Sequence, residues 1–222
     1  YPASIVKLPF AIDSVITCVE RGQPPDCQRA DLVPMVVDSD NVATGRLVDG
    51  LTQSIDHHDA PLLPGVQAVV APTDPVEKDA AFATWLAARR HTEQRLESLG
   101  LRGGMRLFSK TYPTNSGEEP MGFEARARRE LGRNTMSAHD AAQLLRALVD
   151  GDIDAATKAP VLATLTPLLT RARFSLQSAL SPGEPPGTRH LGKIGSAYDT
   201  LEEVALLDWP QGPSREIGRA HV

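Results

Sequence analysis

Apolar positions recur at helical spacing from the start of the chain. Val6, Leu8, Ala11, Ile12, Val15, Ile16 and Val19 predict one helix from Ser4 to about Arg21, ended by Gly22 and Pro24-Pro25. Pro9 is tolerable only in its first turns, which puts Ser4 at the helix N-terminus. From Arg29 to Thr52 the inward set Leu32, Met35, Val36, Leu47, Val48 and Leu51 predicts a second helical stretch. Pro34 and Gly45 break it into pieces, and polar Ser39-Asp40-Asn41 stands at the break. Residues 54–74 are proline-rich and unperiodic, a loop. Asp74-Pro75 caps a helix that runs to about Gly100, with Ala81, Trp85, Leu86, Leu96 and Leu99 inward. No regular element is predicted for residues 102–133. A capped amphipathic helix follows from Thr135 to Leu148, then another from Asp152 to Arg173 that carries Pro160 and Pro167. Arg189–Ala197 and Glu203–Trp209 read as two strands of a hairpin.

Composition narrows the class. The 222 residues are 41% hydrophobic, enough to bury a core, and the formal net charge of -5 gives no reason to expect nucleic acid or an anionic membrane surface as partner. No apolar run reaches the roughly 20 residues that span a bilayer. The two cysteines, Cys18 and Cys27, flank a turn; a disulfide and a pair of buried thiols both fit that spacing. Asp56-His57-His58-Asp59 suggests a metal at first glance, but neighbouring residues rarely converge on one ion, so a solvated loop is the reading and no metal or other cofactor is expected.

The chemistry lies in short motifs. Ser4-Ile5-Val6-Lys7 puts a hydroxyl and an amine on one helix face, one turn apart, where the amine can take the hydroxyl's proton. A chain this long should hold roughly one such tetrapeptide by chance, so its companions decide its weight. These are Ser39-Asp40-Asn41 and Lys193-Ile194-Gly195, in the order Ser-x-x-Lys, Ser-Asp-Asn, Lys-x-Gly. The set resembles the signature of class A β-lactamases and penicillin-binding proteins, and the text around Tyr1–Pro9 and Val204–Pro210 resembles the family's flanks.

The resemblance implies an α/β fold, an antiparallel sheet flanked by helices with a helical subdomain spanning about residues 22–180, within one catalytic domain of residues 1–216. It implies an acyl-enzyme hydrolase. Ser4 would attack the carbonyl, Lys7 would act as base, Ser39 would carry the proton to the leaving nitrogen and Asn41 would hold Lys7 and the substrate amide. The backbone N–H groups of Ser4 and Ser196 would form the oxyanion hole, and Lys193 with Gly195 would meet the substrate carboxylate. The substrate would be a β-lactam, a cell-wall D,D-peptide or a related amide or ester. A non-catalytic binding module that keeps the fold is the reading from a different class. The implied place of action is the periplasm or the cell exterior.

Two departures stand against the pattern. Ile194 sits where the family usually has a hydroxyl, and the loop motif Glu-x-x-Leu-Asn, whose glutamate positions the deacylating water, is absent. Glu118 and Glu119 are the nearest candidates for that role. The resemblance also implies a helix and two strands ahead of the serine, so the front of the domain is expected to be missing and the sheet incomplete. Residues 217–222 match the translation of a common sequencing adapter and are expected to lie outside the fold.

Overall fold

The first helix is apolar nearly all round, so it belongs inside the molecule. The computed structural model describes residues 2–53, 55–56, 68–69, 73–101, 104–110, 120–150, 153–172, 187, 189–197, 200–208 and 215–221. In it, a 3-10 turn at Ala3–Val6 leads directly into α1 (Lys7–Glu20), whose residues from Lys7 to Cys18 are all buried. Around α1 pack α2 (Arg29–Val37), α3 (Asn41–Thr52) and α5 (His91–Ser98), with α8 (Ala155–Thr170). Cys18 and Cys27 are disulfide-bonded and tie the end of α1 to the approach to α2.

The expected break in the second stretch falls between Val37 and Asn41, with Pro34 inside α2. The single helix expected from Asp74 is two, α4 (Pro75–Arg89) and α5, meeting at Arg90. Asp74 caps α4 through the backbone N–H groups of Val76 and Glu77. Ser137 and Asp140 cap the start of α7 (Ala138–Asp150) reciprocally.

A helix absent from the sequence reading, α6 (Gly122–Leu131), lies in the stretch 102–133. The neck of that stretch is closed by paired backbone bonds between Arg106 and Thr135, and by Asn134, which accepts from the N–H of Ser109 and donates to its carbonyl. Phe82, Trp85, Phe108, Phe123 and Ala127 form a small second core between α4 and α6, separate from the main one.

Two short strands, β1 (Ile55–Asp56) and β2 (Ala68–Val69), pair in parallel within the region read as a loop. The main sheet is antiparallel, in the order β3 (Arg189–Ala197), β4 (Thr200–Asp208) and β5 (Arg215–His221), with Lys193 opposite Val204. The hairpin is as expected, its second strand starting three residues early. Residues 217–221, which the sequence reading sets outside the fold, pair with β4 from Ala205 back to Leu201. Strand β3 packs against the 3-10 turn and α8, and α7 lies against β4 and β5. The result is a helix-rich molecule with a small antiparallel sheet. No described helix is long and apolar enough to cross a membrane.

Candidate active site

Three elements meet at the N-terminus of α1, and each brings one motif. Ser4 sits in the 3-10 turn, half-buried, with Lys7 following one turn later and 0% exposed. Between α2 and α3 the chain must reverse, because Asp40 takes extended geometry to cap α3, accepting from Ala43 N at 2.8 Å. Ser39 makes that reversal in the left-handed region at φ 57°, a conformation that L residues adopt reluctantly and that often marks functional sites. It turns both the carbonyl and the hydroxyl of Ser39 toward Lys7. Strand β3 brings Lys193, 2% exposed.

The Lys7 Nζ lies 3.0 Å from Ser4 Oγ, 3.1 Å from Ser39 Oγ and 2.7 Å from Asn41 Oδ1, and also donates to the Ser39 carbonyl. Of these partners, the carbonyl and Asn41 Oδ1 can only accept. They engage both N–H groups of a neutral amine, which leaves its lone pair for a hydroxyl proton. Lys193 Nζ donates to Ser39 Oγ at 2.9 Å and to the Ile194 carbonyl at 3.0 Å. The Ser39 hydroxyl therefore lies between two amines, both within proton-transfer distance.

Electrostatics favour the neutral amine at Lys7. Burial, then the nearby Lys193 charge, pushes its pKa down to about 6, with Asp40 pulling the other way. Burial lowers Lys193 to about 8. Near neutral pH one amine is thus mostly free to accept a proton while its neighbour still carries a charge.

Gly195 lies where β3 crosses the turn that carries Ser4. A Cβ there would stand 2.6 Å from Ser4 N, 2.8 Å from Ala3 Cβ and 2.9 Å from the Pro2 carbonyl, so only glycine fits. Ser196 is the next residue in β3, opposite Leu201. Ser4, Lys7, Ser39, Asn41 and Lys193 are brought together, with Gly195 against the turn, whereas Glu118 and Glu119 lie outside the described residues. His57, His58 and Asp59 do too. Sequence reasoning missed Asp40 as a charge acting on Lys7; that Ser39-Asp40-Asn41 could cap the following helix was readable, and Asp40 does so.

No family model matches the chain. It is 28% identical over 215 residues to Golvesin of Dictyostelium discoideum, covering 95% of this chain and 34% of that protein, so it spans about a third of the relative's length. Among solved structures it is similar to a mutant of PBP-A in acyl-enzyme complex with penicillin G, at 14% identity and TM-score 0.45, over 96% of this chain and 69% of that one. The β-lactamase of Sphaerobacter thermophilus superposes over 95% of this chain and 70% of its own, at 18% identity and TM-score 0.53. That superposition gives the chain the fold of a β-lactamase.

Proposed function

We propose that the protein is a serine hydrolase that works through an acyl-enzyme on Ser4 and acts on β-lactams or related amides and esters. The observation that carries this reading is the Lys7 amine, buried, depressed to about 6 and 3.0 Å from Ser4 Oγ. Neutral Lys7 takes the Ser4 proton as the oxygen attacks the carbonyl, with the Ser4 and Ser196 N–H groups stabilising the oxyanion. Ser39 gives its proton to the leaving nitrogen and is reprotonated from the adjacent amines. Lys193, still charged, meets the substrate carboxylate with Gly195 beside it. Asn41 holds Lys7 and the substrate amide. Ile194 lacks the hydroxyl that would add a charge-assisted hydrogen bond, worth about 1.5–3 kcal/mol, so carboxylate recognition should be roughly ten- to hundredfold weaker than with a hydroxyl. No metal or cofactor takes part, and the site of action would be the periplasm or cell exterior.

A second reading, a penicillin-binding D,D-peptidase on cell-wall peptides, is favoured by one observation: the sequence holds no Glu-x-x-Leu-Asn motif to position a deacylating water. The test is labelling of full-length protein with a fluorescent penicillin. Wild type should label and Ser4→Ala should not. Rapid loss of the label supports a β-lactamase, and persistence supports the peptidase. Equal labelling of both proteins, or of neither, would leave a non-catalytic module.

A further inference from the structure

Four charged side chains are buried together beneath α3: Asp49 and Arg89 at 0% exposure, Glu124 at 1% and Lys110 at 7%. Asp49 pairs with Arg89 at 2.7 Å and with Lys110 at 2.8 Å, while Glu124 lies 3.6 Å from Arg89 and accepts from Lys110 N at 2.6 Å. Such ion pairs repay little in stability compared with apolar packing, so their use points to the placement they enforce. Asn41, Gly45 and Asp49 are spaced four apart and share one stripe of α3. Lys110 runs along that stripe. Its stem lies against Gly45, with Cδ 3.4 Å from where a Cβ would stand, and its ammonium reaches Asp49. It also lines a small cavity with Ala3 and Val6, the first and last residues of the 3-10 turn that carries Ser4.

We propose that Lys110, anchored by Asp49, is a positioning residue: a buried spacer that fixes the nucleophile turn relative to the helix carrying Asn41. The inference rests on the hydrolase reading for its catalytic consequence but not for its structural one. Glycine at 45 leaves room for the stem, and the carboxylate two turns from Asn41 fixes its end. If the spacer is lost, α3 can shift from the turn and water can enter around Lys7. Burial is the largest cause of the low Lys7 pKa, with Lys193 and Asp40 the charged groups facing it, so admitted water should move its titration upward.

The experiment compares full-length wild type with Lys110→Met, which keeps most of the stem but removes the anchor, and with Gly45→Val, which pushes the stem away without changing charge. Asp49 keeps its Arg89 partner in both variants. Penicillin acylation rates should fall about ten- to a hundredfold in each. NMR of ε-13C-labelled lysine should show the Lys7 midpoint rising from about 6. Wild-type rates together with an unmoved Lys7 midpoint in Lys110→Met would overturn the proposal, whatever happened to melting temperature. If wild type itself is not acylated, the hydrolase reading fails, and the Lys7 titration alone decides whether Lys110 positions the site.

Discussion

Lys7 and Lys193 are buried among hydroxyl, amide and carbonyl oxygens, and no carboxylate of the described residues forms an ion pair with either. Lys110 and Arg89, buried nearly as completely, share the Asp49 carboxylate at 2.8 and 2.7 Å. The two regions lie at opposite ends of one stripe of α3. At the Asn41 end the hydrogen-bond partners of the amines are all uncharged and burial outweighs the pull of Asp40, so the charged form is penalised and Lys7 can act as a base near pH 7. At the Asp49 end the charges are compensated and serve geometry. Burial by itself therefore predicts neither reactivity nor stability, and the partner's charge decides between them.

The largest expected effects follow from removing one member of each region. Lys7→Met should lower the acylation rate by about 10²–10⁴, because it deletes the proposed base. It should also stabilise the fold, on the order of 1 kcal/mol or more, because it replaces an amine that pays for burial without a counter-charge. Asp49→Asn should do the reverse to stability. It leaves two buried cations without their shared carboxylate, a loss of about 3–5 kcal/mol. Urea melts at pH 7 check both, and the same sign in the two variants would break the comparison.

The contrast also explains what the sequence revealed. Ser4 with Lys7, Ser39 with Asn41, and Lys193 with Gly195 are short-range patterns whose spacing carries the geometry, so they were readable as candidates before any fold was known. The helices with apolar stripes, α1, α3 and α7, were readable for the same reason. α6 was not: Gly-Phe-Glu-Ala-Arg-Ala-Arg-Arg-Glu-Leu buries only Phe123, Glu124 and Ala127, and its charges resemble a solvated loop. The break between α4 and α5 falls at Arg90 with no Gly or Pro to announce it. The knot of Asp49, Arg89, Lys110 and Glu124 was invisible, because charged residues are read as exposed unless a partner is known. Asp49 and Arg89 are 40 positions apart.

A steric change at the crossing of β3 and the Ser4 turn should act on the first region alone. Gly195→Ala places a Cβ 2.6 Å from Ser4 N, so one backbone must move. Overpacking of this kind costs about 1–3 kcal/mol, and displacement of the Ser4 N–H should lower acylation by at least about tenfold. A variant that folds and acylates like wild type would show that the turn can yield, and that Gly195 is not needed for the approach.

The pH dependence of stability separates the regions without any substrate. Lys7 has a folded pKa of about 6, far below that of an exposed lysine, so between pH 6 and 10 the unfolded chain binds more protons than the folded one. Stability should then rise with pH over that window, at up to about 1.4 kcal/mol per pH unit for each such group. Lys193, lowered to about 8, adds to the rise above pH 8. Lys7→Met should flatten the slope between 6 and 8 and leave that of Lys193. A slope unchanged in the variant would mean that Lys7 keeps its proton when buried.

The smallest expected effect, and the finest test of the comparison, is at Asp40. Its carboxylate caps α3 through Ala43 N and is a charge that favours the protonated form of Lys7. Asn caps helices about as well as Asp, so Asp40→Asn should hold stability within about 0.5 kcal/mol. What changes is the field at Lys7, whose pKa should drop below its present value of about 6. The acid limb of the acylation–pH profile should move to lower pH, with the limb set by Lys193 near 8 left in place. An acid limb that stays fixed would mean that Asp40 serves α3 only as a cap, and that the site's amines are tuned by burial and by each other.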